Sequence, residues 1–152
     1  MESLRFSCVP FDLLTPLELY RIMALRQEVF IVEQNCPYLD ADGKDLRAWH
    51  LTGWATDGLP ACHARLLPAG VSYPGYASIG RVVSASFVRG TGAGKQLMTE
   101  SLRCCRLLFG DVPVKISAQT YLLGFYESLG FRSTGKAYLE DGIPHTEMVW
   151  EG

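Results

Sequence analysis

The chain lacks a surplus of positive charge. Its 14 lysines and arginines are outnumbered by 16 aspartates and glutamates, for a formal net charge of −2. A simple nucleic-acid binder needs a basic stripe or patch, so that class is set aside. No apolar run is long enough to span a bilayer, and no membrane partner is expected. The opening residues Met1-Glu2-Ser3-Leu4-Arg5 are not followed by an apolar stretch, so no secretory signal is expected. Cysteines stand at 8, 36, 62, 104 and 105, an odd set with no C-x-x-C pair. That disfavours both a disulfide framework and a zinc knuckle, and fits a cytoplasmic location. No repeat, low-complexity tract or linker interrupts the 152 residues, so one domain over residues 1–152 is expected. At 48% hydrophobic and 20% charged residues, the chain can bury a real core.

What is present alternates between helical and extended patterns. Residues 5–9 read as a short strand. Thr15-Pro16-Leu17-Glu18 is a capping box with proline at the first helical position, opening a helix to about Val32. Residues 33–48 are polar and irregular. Residues 49–56 and 60–67 read as a hairpin turning at Asp57-Gly58. Residues 77–84 form the next strand, with Ile79, Val82 and Val83 suited to burial. An amphipathic helix follows over residues 93–109, closed by Gly110. Residues 112–118 are a strand, 120–129 a short helix, and two more strands begin near residues 130 and 145. Asp141-Gly142 marks a turn between those two. Interleaved elements of both kinds predict an α/β (α+β) domain with a mixed sheet.

The stretch Val88-Arg89-Gly90-Thr91-Gly92-Ala93-Gly94-Lys95 is suited to gripping an anion. A Walker A loop would require glycine where Arg89 stands, and a hydroxyl where Gln96 stands. A dinucleotide fingerprint starting at Gly90 or Gly92 would need its last glycine at Lys95 or Leu97. What remains is Arg89-x-x-Gly92-x-Gly94 between a strand and a helix. Glycine lets backbone approach a ligand closely, and amides at a helix start favour negative charge. A flexible turn with no ligand is the bland alternative. Asp40-x-Asp42-Gly43-x-Asp45 suggests a calcium loop at a glance. Counting from Asp40, the glycine and glutamate places hold Asp45 and Leu51, so no metal is expected.

R/Q-x-x-G-x-G/A after a buried strand resembles the pyrophosphate motif of the GCN5-related N-acetyltransferases. Gln119, followed by Phe125-Tyr126-Glu127-Ser128-Leu129-Gly130-Phe131, is similar to that family's "N…FYexxGF" segment, with glutamine where asparagine is usual. "LRQEVFIVEQNCPYLDADGKDL" (25–46), "IGRVVS" (79–84) and "YLEDGIPHTEM" (138–148) resemble its ElaA-type subgroup. The resemblance implies a mostly antiparallel mixed sheet, splayed between two central parallel strands and flanked by helices. It implies acetyl-CoA as cosubstrate and the primary amine of a small molecule or peptide as acceptor. It also allows a homodimer. Pantetheine would pair with the backbone of Val82, Val83 and Ser84, with an amide near Val82 or Val83 holding the thioester oxygen. Arg89, Gly90, Thr91, Gly92, Ala93, Gly94 and Lys95 would hold the pyrophosphate, Gln119 would line the cofactor groove, and Tyr126 would protonate the leaving thiolate.

The chemistry then needs a proton acceptor. An alkylamine with pKa about 10.4 is neutral in only about one molecule in 10³ at pH 7. Many relatives carry a glutamate on the strand before the glycine loop, but residues 77–84 hold no carboxylate. Glu33, His50, His145 or a chain of waters remain, and Glu33 ranks first because it ends the helix beside the expected acceptor pocket. Arg81, unusual on a strand expected to be buried, is a candidate to orient an acidic acceptor or to bond a carboxylate such as Glu33. Glu33 and His50 join it as substrate-binding candidates. Two other functions stay open: a non-catalytic CoA-binding scaffold, and transfer of a longer acyl group.

Overall fold

Capping begins the fold as the sequence predicts. In the computed structural model, which describes residues 3–152, Thr15 Oγ1 accepts the Glu18 N–H at 3.1 Å and the Glu18 carboxylate accepts the Thr15 N–H at 2.9 Å. The helix α1 (Pro16–Arg26) grows from that box. It does not continue as an ordinary helix to Val32. Residues Gln27–Glu33 widen into a π-helical turn, with Gln34 N–H bonding Val29 C=O at 3.2 Å and Cys36 N–H bonding Ile31 C=O at 3.1 Å. Such wide turns collect at functional sites.

The sheet has seven strands: β1 (Arg5–Pro10), β2 (Trp49–Trp54), β3 (Pro60–Leu67), β4 (Ala77–Ser84), β5 (Val114–Gln119), β6 (Arg132–Glu140) and β7 (Ile143–Trp150). Their spatial order is β1-β2-β3-β4-β5-β7-β6. All neighbours are antiparallel except β4 and β5. The β2–β3 turn falls at Asp57-Gly58, where Gly58 takes φ 84°, and the β6–β7 turn at Asp141-Gly142, with φ 51° and 77°. The long helix α2 (Ala93–Phe109) lies between β4 and β5, and the short α3 (Leu123–Ser128) follows a single 3-10 turn over Thr120–Leu122.

Strand β3 is buried along its whole length, because helices cover both its faces. Its Cys62, Ala64 and Leu66 join Leu97, Met98 and Leu102 of α2 in the main core. On the other face Ala61 meets Leu25, Val29 and Phe30 from α1 and the π turn. Leu97 and Met98 are fully enclosed; each such side chain contributes about 1.5–3 kcal/mol by leaving water. This double packing holds β4 and β5 in place while their far ends separate.

That separation is the feature that matters for function. β4 and β5 pair only at Ala77↔Val114 and Ser78↔Lys115. Beyond that point the two strands share no ladder. The cause lies in β4. Against β3, Arg65 pairs with Gly80 and His63 with Val83, so β4 carries one extra residue across that interval. The bulge falls at Arg81-Val82, with Arg81 in the left-handed region at φ 49°. A bulge bends its strand and raises the local twist, which turns β4 away from β5.

Candidate active site

The parted strands open a cleft of about 1000 Å³. One wall is the inner edge of β4, including Val82, Val83 and Ser84; the other is β5, with Ile116, Ser117 and Gln119. Gly90, Gly92, Ala93 and Gly94 close one end, Tyr126 and Phe125 project from α3, and Glu33, Tyr38 and His145 border the other side.

At the glycine end, Gly90 and Gly92 adopt φ 80° and 88°, which a side chain would strain. Gly92 is the residue capping α2. Among the described residues, no backbone hydrogen bond outside the regular elements engages the amides of Gly90, Gly92, Ala93, Gly94 or Lys95. The first amides of a helix have no partner within it, so these are free to receive an anion. A Cβ at Gly90 or Gly92 would meet open space, and one at Gly94 only ordinary contacts with Ser84 and Phe125. Among the described residues, nothing fills the space over Gly90 and Gly92. Two expected members depart from it. The Thr91 N–H bonds Val88 C=O at 3.2 Å, and its hydroxyl donates to the same carbonyl. The Lys95 side chain faces a separate shallow recess beside Phe6 and Gln96, because the next position of the helix points outward.

Arg89 does not reach freely into the cleft either. Its Nη1 and Nη2 hold Glu33 Oε1 and Oε2 at 2.7 and 3.0 Å, and Nη2 also bonds Ser84 C=O at 3.2 Å. The Arg89 hydrogen bonds hold the Glu33 carboxyl below the usual carboxylate range. Glu33 therefore lines the cleft as one half of a bidentate ion pair. Tyr126 is 6% exposed and packs edge-on against Phe125 and Phe131. Burial pushes its phenol up to about 12. The hydroxyl stays protonated across the physiological range and is available as a donor.

The two histidines behave differently. His145 borders the cleft and is held by Ile143 C=O, 2.7 Å from Nδ1. A carbonyl only accepts, so Nδ1 carries the proton in the neutral ring. Nε2 then presents its lone pair, 3.4 Å from Glu140 Oε2. His50, expected among the acceptor-binding groups, lies away from the cleft lining. It is 1% exposed, on a strand two places from β4. Its Nε2 donates to Asp45 C=O at 2.9 Å and its Nδ1 meets His63 Nε2 at 3.1 Å. Both ring nitrogens are engaged, and burial holds both imidazoles below the usual histidine range.

Arg81 bonds carboxylates, but not Glu33. Its Nε lies 2.8 Å from Asp40 Oδ1, and its Nη2 is 3.0 Å from Asp40 C=O and 3.3 Å from Asp42 Oδ2. The same aspartates belong to a larger network. Buried Arg26 holds Asp40 at 2.9 Å and Asp45 at 2.7 Å, and Arg65 holds Asp42 at 2.8 Å and Asp45 at 3.3 Å. Burial pushes the Asp45 carboxyl up, but Arg26 and Arg65 outweigh it and keep it below the usual range. The resemblance to a calcium loop thus has another explanation: three arginines hold the three aspartates. Sequence reading missed Arg26 and Arg65, since no local pattern ties a helix arginine and a strand arginine to a loop 14 to 23 residues away.

Comparison with known proteins agrees with this architecture. A family model described as an acetyltransferase (GNAT) domain matches residues 70–152. Protein ElaA of Escherichia coli is 43% identical over 136 residues, covering 88% of each chain. Its crystal structure superposes with a TM-score of 0.90 over 97% of this chain and 99% of that one, at 38% identity. The crystal structure of an acyl-CoA N-acyltransferase from Pseudomonas aeruginosa gives a TM-score of 0.91 at 44% identity, over 97% and 99% of the two chains. A more distant Bacillus subtilis acetyltransferase, solved in complex with CoA, shares the fold with a TM-score of 0.64 at 22% identity over 98% and 99%. Kinship of this extent, on a sheet that parts where the glycine loop begins, places the chain in the GNAT acetyltransferase family, among the relatives of ElaA.

Proposed function

We propose that the protein transfers an acetyl group from acetyl-CoA directly to the primary amine of a small molecule or peptide. The observation that carries this reading is the meeting of unpaired helix-start amides with the parted edges of β4 and β5. In this reading the amides of Gly90, Gly92, Ala93, Gly94 and Lys95 hold the diphosphate. The cleft-side backbone of β4 at Val82, Val83 and Ser84 pairs with pantetheine, with the Ser84 carbonyl shared with Arg89, and Gln119 lines the opposite wall. The amide of Val82 or Val83, beside the bulge, donates to the thioester oxygen as it becomes an oxyanion, an arrangement worth several kcal/mol when preorganised.

The amine nitrogen attacks the thioester carbon; the new C–N bond forms and the C–S bond breaks. Tyr126 donates a hydrogen bond to the departing sulfur. A phenol raised to about 12 is a weaker acid than a free thiol near 8.5, so its main effect is to stabilise the developing thiolate rather than to protonate it fully. For the amine proton we favour His145 over Glu33. In the neutral tautomer that Ile143 C=O selects, His145 Nε2 is the ring nitrogen that can accept a proton, and it lies 3.4 Å from Glu140 Oε2 at the cleft wall. Glu33 is paired with Arg89, and a carboxylate whose pKa is held down is a poor base. Holding amine and thioester together supplies much of the remaining rate, with effective molarities up to roughly 10⁵ M or more. Five thiols without disulfides suit a reducing cytoplasm.

The test is CoA-thiol release from acetyl-CoA with a panel of amines, alongside longer acyl-CoAs. Amine-dependent release is expected, falling about 10²-fold in Tyr126→Phe and in His145→Gln. Tight acetyl-CoA binding with no amine-dependent release across the panel would instead identify a CoA-binding scaffold. An undiminished His145→Gln would remove that residue from the mechanism.

A further inference from the structure

We propose that Arg81 is a positioning residue that clamps the acceptor side of the cleft to the β4 bulge, rather than a contact for the acceptor itself. The inference rests on the acyltransfer reading for its kinetic consequence but not for its structural one.

Arginine at φ 49° inside a strand is costly: a left-handed residue with a side chain is disfavoured by roughly 1–2 kcal/mol. Among the described residues, the other non-glycine positions with positive φ, Asn35 and Asp141, lie outside strands. Glycine would adopt this conformation freely, and Gly80 stands immediately before it. The strain persists only where surroundings over-determine it. They do so here through the side chain. The guanidinium donates to Asp40 C=O and Asp42 Oδ2, forms an ion pair with Asp40 Oδ1, and lies over the Tyr38 ring, 5.6 Å from its centroid. Tyr38 in turn donates to Asp40 Oδ1 at 3.2 Å. The cleft-lining residues Tyr38, Leu39 and Asp42 are therefore tied to the bulge by one side chain.

The geometry matters because the two things joined have separate tasks. The bulge sets where the amides of Val82 and Val83 point. The segment 37–42, which borders the same cleft through Tyr38, Leu39 and Asp42, sits against the bulge. A guanidinium bonded to both aspartates fixes the distance between the oxyanion donors and the place an acceptor must sit. Its charge is matched by those aspartates. Arg26 and Arg65 keep their own bonds to Asp40, Asp42 and Asp45, so loss of Arg81 leaves no buried carboxylate unpaired.

Arg81→Gly separates the two roles. It permits the same backbone and removes the clamp. Hydrogen–deuterium exchange of the segment 37–42 is expected to accelerate about tenfold in Arg81→Gly, with the global melting temperature nearly unchanged. Arg81→Lys, which keeps one charge-assisted bond, is expected to fall between. In turnover, acetyl-CoA affinity should stay within about twofold while the acceptor KM rises about tenfold. Unchanged exchange in Arg81→Gly overturns the clamp. Accelerated exchange with unchanged acceptor KM overturns its part in positioning. If the wild type binds acetyl-CoA but turns over no amine, the acyltransfer reading has failed, and exchange alone then decides the clamp. A rise in acetyl-CoA Kd equal to the rise in acceptor KM would show a general loosening of the cleft and would also overturn it.

Discussion

The glycine loop at residues 88–95 and the aspartate loop at residues 37–45 are both short, polar and irregular, yet the molecule holds them in opposite ways. The glycine loop is built from main chain. Arg89 ties it to Glu33, but several of its amides are left without partners. The aspartate loop is built from side chains: three carboxylates, three guanidinia and a histidine ring fix it from α1, β2, β3 and β4. One loop leaves backbone hydrogen-bonding capacity unused; the other uses nearly all of its capacity within the protein. The lesson is that a cluster of charges beside a cleft is not by itself a binding site, because its hydrogen-bonding capacity can be consumed within the protein.

The sharpest way to test this contrast is to remove one side chain from the aspartate region. Arg26 is fully buried and bonded to Asp40 and Asp45. In Arg26→Ala those buried carboxylates lose their main partner, and a loss of about 3–5 kcal/mol in unfolding free energy is expected in chemical denaturation. A cost below about 1 kcal/mol would mean that the network is a solvated surface feature.

The opposite substitution in the glycine loop should spare the fold and damage binding. Gly92→Glu puts a side chain at φ 88° and a negative charge into the cradle. Strain of roughly 1–2 kcal/mol is expected, with acetyl-CoA affinity reduced at least about tenfold by calorimetry. Unchanged affinity would show that these amides do not hold the diphosphate.

Acid should also find the aspartate side first. His50 and His63 are held neutral by burial, so their folded pKa values lie below the usual histidine value. Below about pH 6.5 the unfolded chain takes up protons that these rings refuse, and stability falls by at most about 1.4 kcal/mol per pH unit for each until the folded ring itself is protonated. Below about pH 3.8 the depressed Asp42 and Asp45 add a second loss in the same direction, as they are protonated more readily unfolded than folded. The melting temperature is expected to decline from pH 6.5 downward. A flat curve to pH 5 would contradict the buried neutral pair.

The same contrast decides what was legible in the sequence. The capping box at Thr15, the turns at Gly58 and Gly142, and the glycine loop that opens α2 are local: each depends on residues a few positions apart, and each appears in the structure where it was expected. Tyr126 and Gln119 could be placed by resemblance, and both border the cleft. What stayed hidden was long-range. The pairing of Glu33 with Arg89 spans 56 residues, and that of Arg81 with Asp40 spans 41. The bulge that parts β4 from β5 arises from a mismatch with β3, which periodicity within β4 alone does not reveal. His50 looked available because sequence shows its basicity and not its two hydrogen-bond partners. The π turn at residues 27–33 reads as ordinary helix because its apolar spacing differs too little from 3.6.

The most direct measurement is a crystal structure of the protein with CoA. The diphosphate oxygens are expected about 3 Å from the amides of Gly92, Ala93 and Gly94, with the pantetheine arm running between β4 and β5 toward Tyr126. CoA bound elsewhere, with those amides facing only solvent, would contradict the central claim.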